Sequence, residues 1–327
     1  MPERVLVTDT VAVFGSLDVE RAVLGPLGLD LVPAPATDEA TLAREAASAA
    51  AILVVYAGIT EPVIAAAARA GCRVIARCGI GVDNIDLEAA TRHGIQVTNV
   101  PDYCLDEVAD HTLALLLCAA RGLLPATNAV RDGAWQVPRG GIRRLQGRRL
   151  ALVGTGRIGR RVGARARAFG LEVIGFDPYL TSWDLEGTER ASSLVEAISE
   201  ADFISLHAPL TPENYHLIDA AAVAAMRRAP VLVNTARGGL VDLEAALRGL
   251  EEGRLSALAL DVTEVEPLPA DHPLRRHPRA LITPHMAFYS EEAEHELRRR
   301  AAEEVARAIR GEPPRCPVND LGSRARG

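Results

Sequence analysis

Leu150-Ala151-Leu152-Val153-Gly154-Thr155-Gly156-Arg157-Ile158-Gly159 carries an aliphatic strand directly into G-x-G-x-x-G, and a helix-like segment from Arg160 to Phe169 follows. In that position the motif opens a dinucleotide-binding βα unit. The first glycine allows the tight turn, the second lets backbone approach a pyrophosphate, the third lets helix and strand pack closely, and the helix N-terminus faces the phosphates. The next strand, Glu172-Val173-Ile174-Gly175-Phe176, ends at Asp177, about 20 residues past the motif, where a carboxylate accepts hydrogen bonds from ribose hydroxyls and repels a 2′-phosphate. This predicts NAD rather than NADP, a preference that a neighbouring arginine such as Arg190 would soften.

Outward from this unit the same alternation continues in both directions. Short β-branched runs (Val5-Leu6-Val7, Ile52-Leu53-Val54-Val55, Arg73-Val74-Ile75-Ala76, Ile95-Gln96-Val97) interleave with helix-like segments at 61–70 and 86–93, the pattern of a parallel α/β unit. Asp102-Tyr103 then opens a long helical stretch to Arg121, with Val108, His111, Leu115 and Cys118 at three- and four-residue steps. A polar, Gly- and Arg-rich passage over 131–149 separates this half from a second α/β unit that runs to Leu281-Ile282-Thr283. The charged helix predicted over 291–310 comes after that unit's last strand, and its apolar side is expected to pack back onto the first half.

Composition narrows the function classes. At 327 residues and 48% hydrophobic content, two cores are expected. A formal charge of −7 argues against a general nucleic-acid or anionic-membrane binder, and small molecules are the expected partners. No cationic segment leads into a long apolar run at Met1-Pro2-Glu3-Arg4, and no stretch reaches the roughly 18 apolar residues of a membrane span, so no membrane association is expected. The five cysteines (Cys72, Cys78, Cys104, Cys118, Cys316) are scattered, without C-x-x-C pairing; a reducing cytoplasm and no metal site are expected. The sequence contains no lysine, which excludes Schiff-base chemistry and a Walker-type phosphate loop.

Three later strands deliver chemistry-bearing side chains to their carboxyl ends, where open α/β sheets bind ligands. Val231-Leu232-Val233-Asn234-Thr235-Ala236 leads to Arg237; Leu258-Ala259-Leu260-Asp261 leads to Glu266; Leu281-Ile282-Thr283-Pro284 leads to His285. Hydride transfer at a hydroxyl-bearing carbon needs a fixed cation for a substrate carboxylate and an acid/base that titrates near neutrality, and arginine and histidine meet those needs. A carboxylate beside the imidazole would favour its protonated form. Taken singly, each residue has an ordinary reading: Arg237 as an ion-pair partner, Glu266 as a solvated loop acid, His285 as a packed or capping histidine.

Taken together, Arg77-Cys78-Gly79-Ile80-Gly81-Val82-Asp83-Asn84-Ile85-Asp86, Asn99-Val100-Pro101-Asp102-Tyr103, the Gly154 to Gly159 turn, His207-Ala208-Pro209-Leu210-Thr211, Asn234-Thr235-Ala236-Arg237-Gly238 and Thr283-Pro284-His285 resemble the D-isomer-specific 2-hydroxyacid dehydrogenases over nearly the whole chain. That family includes phosphoglycerate, D-lactate and hydroxypyruvate-reducing enzymes and the C-terminal binding protein co-repressors. The resemblance implies two Rossmann-like domains: a doubly wound NAD-binding domain over 101–287, inserted in a discontinuous, flavodoxin-like substrate domain over 1–100 and 288–327. It implies a catalytic set of Arg237, Glu266 and His285, with His285 as proton donor in reduction. Cofactor contacts are implied at Ile80, Gly154, Thr155, Gly156, Arg157, Ile158, Gly159, Asp177, His207, Ala208, Pro209, Thr211, Thr235, Ala236 and Asp261. Substrate contacts are implied at Arg77, Gly79, Ile80, Gly81 and Arg237; Tyr56 is a further expected contact, and Tyr56, Arg77, Phe288 and Tyr289 are expected to shape the pocket, with the aromatic pair equally readable as core.

The Asn99 to Cys104 and His285 to Ser290 segments look closest to the branch around the phosphoglycerate dehydrogenases and C-terminal binding proteins. Related formate dehydrogenases place a glutamine where Glu266 stands, and phosphite dehydrogenases a lysine where Ile80 stands, so neither activity is expected. No regulatory domain is expected after Arg310. The family also implies a homodimer built on the helix over 103–122 and the segment after it. The leading expectation is an NAD-dependent enzyme interconverting a D-2-hydroxy acid and its 2-keto acid. The alternative is an NAD(H)-sensing interaction protein of the co-repressor type, in which turnover is incidental.

Overall fold

A computed structural model describes residues 3–137 and 141–322. The chain forms two compact units, one from Met1–Tyr103 with Ser290–Gly327, the other from Cys104–Tyr289. The handovers lie slightly later than residues 100 and 287. Val100 N–H still bonds Gly79 O at 3.0 Å and Asp102 pairs with Arg300 at 2.7 Å, so the chain stays with the first unit until Cys104 caps the next helix. At the return, Ser290 accepts the Ala293 N–H at 2.9 Å and starts the last helix.

The first unit is a parallel sheet of β1 (Arg4–Val7), β2 (Asp30–Pro33), β3 (Ala51–Val54), β4 (Val74–Arg77) and β5 (Gln96–Thr98), in the order β2-β1-β3-β4-β5. That is the flavodoxin-like order, with its reversal between β1 and β3. All four residues of β3 are buried, as continuous aliphatic strands must be when helices cover both faces. Leu6, Ile52, Val54 and Ile75 join the core under the helices Glu39–Ala46, Glu61–Arg69 and Leu87–Arg92. The returning helix Glu291–Ile309 packs on β3, β4 and the helix Asp18–Leu24. Edge strand β5 is covered in turn by Asn319, whose amide bonds Val97 N–H and Ile95 O at 2.7 and 3.0 Å.

The second unit is a seven-stranded parallel sheet of β6 (Arg149–Val153), β7 (Glu172–Phe176), β8 (Thr188–Arg190), β9 (Phe203–Leu206), β10 (Val231–Asn234), β11 (Ala257–Leu260) and β12 (Ala280–Ile282). Its order, β12-β11-β10-β9-β6-β7-β8, is doubly wound and reverses between β6 and β9. The helix Leu105–Ala120 packs on β10, β11 and the helix Arg157–Ala168, which explains why its apolar residues spread over more than one face. The helix starts at Leu105 rather than at Asp102, because 101–104 form a turn.

The return of the chain to its first unit is fastened by one buried ion pair. Arg298 on the last helix makes a two-pronged contact with Glu20 at 2.8 Å on both arms, with side-chain exposures of 5% and 1%, and also donates to Ser16 O at 2.7 Å. Removing one partner strands the other charge in the interior. Arg298→Ala is expected to destabilise the first unit by about 3–5 kcal/mol. Chemical denaturation followed by circular dichroism checks this, and a variant as stable as the parent would show the pair to be dispensable.

Candidate active site

The glycine turn after β6 is shaped by three different contacts. Gly154 has φ 89°, and a Cβ there would lie 2.6 Å from the His207 carbonyl carbon and 2.7 Å from Ala208 N, so only glycine lets β6 and the loop after β9 come together. A Cβ on Gly159 would lie 2.3 Å from Gly154 O, which fixes the close approach of helix to strand. Around Gly156 a Cβ would meet nothing within 4 Å, so the backbone at the N-terminus of the helix Arg157–Ala168 is open to an anionic group. Asp177, after β7, accepts the Thr155 N–H at 2.9 Å and the Tyr179 N–H at 3.1 Å, which sets its carboxylate beside the turn. Arg190 donates to Leu180 O at 3.1 Å and lies over the Trp183 ring at 5.4 Å.

Beyond β9, the His207 ring nitrogen Nε2 sits 2.8 Å from Ser205 Oγ, and burial pushes the imidazole down to about 3, so it is neutral. Ala208 and Pro209 follow it, and Thr211 N–H is held by Asn214 Oδ1 at 2.7 Å. After β10, fully buried Asn234 fastens the turn that presents Arg237: its amide donates to Arg237 O at 2.8 Å and accepts Ala236 N–H at 3.0 Å. Arg237 Nη1 donates to Ala236 O at 2.7 Å. Gly238 is required because a Cβ would lie 2.0 Å from the Thr263 carbonyl carbon, so the Arg237 turn abuts the loop that carries Glu266.

Glu266 and His285 meet at that edge. His285 Nδ1 is 2.7 Å from Glu266 Oε2, while Glu266 Oε1 accepts the Thr263 N–H at 3.0 Å. Burial pushes the Glu266 carboxyl up, but the hydrogen bond and charge of His285, with the Thr263 amide, outweigh it and hold the group below the usual range. His285 itself is held at φ 52°, a left-handed conformation that costs a non-glycine residue about 1–2 kcal/mol. Phe288 packs edge-on to it at 6.5 Å and in turn edge-on to Tyr289 at 6.5 Å.

That strained turn is secured by Asp261, which is 2% exposed. Its carboxylate accepts Met286 N–H at 2.9 Å, Ala287 N–H at 2.8 Å and the Thr283 hydroxyl at 2.5 Å. Burial raises this group too, and His111, Thr283, Ala287 and Met286 together bring it below the usual carboxylate value. In this structure, then, Asp261 holds the His285 loop. Asn234, Thr283 and His111 are parts of the site that the motif reading passed over. The available signal was His111 itself, a histidine at one step of the otherwise apolar Val108, His111, Leu115, Cys118 repeat.

In the first unit, Arg77, Tyr56 and the Gly79-Ile80-Gly81 loop lie at the carboxyl ends of β4 and β3. Arg77 Nε donates to Asn84 Oδ1 at 3.2 Å, and its guanidinium is 5.7 Å from the Tyr56 ring centre. The Tyr56 loop is held by buried Asp9, which accepts the Val55, Tyr56 and Ala57 N–H groups at 2.8, 2.5 and 2.8 Å. Asn99 donates to Ile80 O at 2.7 Å and fixes the glycine loop. Among the described residues no cluster of His, Cys, Asp and Glu is arranged to hold a metal ion.

The D-isomer specific 2-hydroxyacid dehydrogenase NAD binding domain model matches residues 113–287. D-3-phosphoglycerate dehydrogenase of Methanocaldococcus jannaschii is 42% identical over 272 residues, covering 82% of this chain, and the chain spans only about half of it (51%). Glyoxylate reductase of Korarchaeum cryptofilum is 40% identical over 274 residues, covering 80% of this chain and 81% of its own length. Among solved structures, D-lactate dehydrogenase from Aquifex aeolicus complexed with NAD and lactic acid superposes with a TM-score of 0.82 at 29% identity, covering 97% of this chain and 99% of that one.

The depressed Glu266 carboxyl has a consequence for acid stability. A carboxyl whose folded value lies below its unfolded value, about 4.3, contributes stability above that pH and loses it as the pH falls through the folded value. Thermal midpoints of the parent and Glu266→Gln should therefore keep their full difference above about pH 4.3 and converge as the pH falls below it. A difference that stays unchanged down to the acid unfolding of the parent would refute the assigned interaction.

Proposed function

The chain belongs to the D-isomer specific 2-hydroxyacid dehydrogenase family, and we propose that it interconverts a D-2-hydroxy acid and its 2-keto acid with NAD through Arg237, Glu266 and His285. The observation that carries this reading is the 2.7 Å His285–Glu266 pair on the same strand edge as the Arg237 turn and the glycine turn. When bound, NAD supplies the hydride acceptor for oxidation and, reduced, the donor for reduction.

The residues present suit that cofactor. The open backbone at Gly156, the exposed Arg157 and the N–H groups at the start of the helix Arg157–Ala168 would hold the pyrophosphate, with Thr155, Ile158 and Gly159 shaping the turn. Asp177 would accept the ribose hydroxyls and disfavour a 2′-phosphate. His207, Ala208, Pro209, Thr211, Thr235, Ala236 and, on the first unit, Ile80 are the remaining proposed contacts. Asp261 joins them through the loop it holds.

Arg237 offers a guanidinium to the substrate carboxylate. His285 Nε2 donates a proton to the C2 oxygen in reduction and removes it in oxidation; Glu266 on Nδ1 keeps the ring oriented and stabilises the imidazolium. On the first unit, Tyr56, Arg77 and the amides of Gly79, Ile80 and Gly81 are the proposed substrate contacts. The relatives above carry the names of dehydrogenases and reductases, which favours turnover over a sensing role in which cofactor occupancy only governs assembly.

NADH oxidation across glyoxylate, pyruvate, hydroxypyruvate, phenylpyruvate and dicarboxylate keto acids tests the activity. His285→Ala is expected to lower turnover by about 10²- to 10⁴-fold with NADH affinity nearly unchanged. Tight NADH binding with no acid turned over would move the sensing role to first place.

We also propose a homodimer, working in a reducing cytoplasm where all five cysteines stay free, as they are in the structure. The helix Leu105–Ala120 leads into a stretch with Trp135 and Val137 at 87% and 80% exposure. An apolar cavity of about 230 Å³ opens between the end of that helix and the amino ends of β9 to β12, lined by Cys118, Leu124, Ile142, Phe203, Val231 and Leu281. A second copy of the chain is the proposed occupant of that surface. Trp135→Ser should shift the sedimentation coefficient from dimer to monomer at micromolar concentration. A parent that is monomeric, or a variant that remains dimeric, would overturn this interface.

A further inference from the structure

The helix Leu105–Ala120 turns two consecutive polar residues, His111 and Thr112, onto the strand edge that carries the site. His111 Nε2 lies 3.1 Å from Thr283 Oγ1 and 3.5 Å from Asp261 Oδ1. Thr283 Oγ1 is itself 2.5 Å from Asp261 Oδ1. An ionised carboxylate only accepts, so the threonine proton goes to Asp261 and the threonine lone pair is left for a donor. His111 must then carry a proton on Nε2. The result is a one-way chain, His111 Nε2–H to Thr283 Oγ–H to the Asp261 carboxylate.

The far end of that chain is the turn bearing His285. Asp261 accepts the N–H groups of Met286 and Ala287, the two residues after His285, and its own carbonyl accepts the His285 N–H at 2.8 Å. Thr112 makes the parallel contact one residue on. Its hydroxyl donates to Val108 O at 2.7 Å, so it accepts from Thr235 Oγ1 at 2.8 Å, and Thr235 leads into the Arg237 turn. One helix step thus reaches both loops.

We propose that His111 is a positioning residue for proton transfer at His285, acting through Thr283 and Asp261 on the left-handed turn that presents the imidazole. The proposal rests on the reading of His285 as the proton donor. Without the His111 donor, Thr283 is free to rotate, the buried Asp261 carboxylate loses an ordered partner, and the turn at φ 52° loses part of what holds it in a costly conformation. A displacement of an ångström or less at a reacting group slows chemistry without weakening substrate binding in proportion.

The test compares His111→Leu with His111→Gln, whose side-chain amide nitrogen can take the place of Nε2, in glyoxylate reduction by NADH and by NADH deuterated at C4. The leucine variant should lose roughly ten- to a hundredfold in kcat with KM within about threefold of the parent, and its deuterium isotope effect on kcat should rise. Glutamine should restore most of the loss. A leucine variant within about twofold of the parent in kcat, or a glutamine variant no better than leucine, overturns the proposal. A measurement independent of turnover accompanies it: long-range ¹H–¹⁵N spectra of the parent protein should show His111 protonated on Nε2, and a neutral ring protonated on Nδ1 instead would overturn it. Failure of the donor assignment is told apart because it shows as His285→Ala retaining turnover, whereas the His111 tautomer is read whatever that result.

Discussion

Every strand in both sheets runs parallel, and the placement of the site follows from that constraint. A parallel strand must be re-entered from the same end, so each crossover helix carries the chain back and each carboxyl end falls on a common edge. In the second unit this collects the Gly154 turn, Asp177, His207, Arg237, Asp261 and His285 along one side of seven strands. The order reverses between β6 and β9, where neighbouring loops lead to opposite faces of the sheet. Gly154 stands at that reversal, and its lack of a Cβ lets the His207-Ala208 backbone close against it.

Parallelism delivers residues to the edge but does not orient them. Orientation comes from buried acceptors that bind loop amides: Asn234 for the Arg237 turn, Asp261 for the His285 turn, and, in the first unit, Asp9 for the Tyr56 loop. Each lies at or just beyond the end of a strand, where the backbone no longer has a ladder partner and a side-chain oxygen can replace one. A carboxylate sealed from water would cost several kcal/mol if left unsatisfied, about the scale of a whole domain's margin of stability. Its donors therefore support the fold, and two of them, the Met286 and Ala287 N–H groups, belong to the turn that carries the proposed proton donor.

Much of this was legible in the sequence. The glycine motif after an aliphatic run, Asp177 after the next one, and Arg237 and His285 after later ones could be read because strand ends are set by local pattern, and local pattern survives in a single sequence. That 291–310 packs back onto the first half was expected from the need to cover its apolar side, but no periodicity in that segment says which core it covers; the fastening contact, Arg298 to Glu20, joins residues at opposite ends of the chain. His111 was visible as one step in an apolar repeat, yet its contact with Thr283 depends on how the helix Leu105–Ala120 is rotated over β11. Rotation about a helix axis is decided by packing on all sides at once, and a linear pattern does not carry it.

The arrangement also separates chemistry from substrate choice. As the proposed catalytic set, Arg237, Glu266 and His285 would answer to what all 2-hydroxy acids share, a carboxylate and an oxygen on the adjacent carbon, so their geometry would be the same problem for any member of the class. Tyr56 and Arg77, as proposed substrate contacts, would answer to the rest of the molecule. They belong to the first unit, where Asp9 binds the Tyr56 loop and Asn84 joins that loop to Arg77 through hydrogen bonds to Ala57 O at 2.9 Å and from Arg77 Nε at 3.2 Å. In the proposed reading, substrate choice would be altered at Tyr56 or Arg77, while the bonds of the Asp261 carboxylate to Met286 and Ala287 belong to the second unit alone.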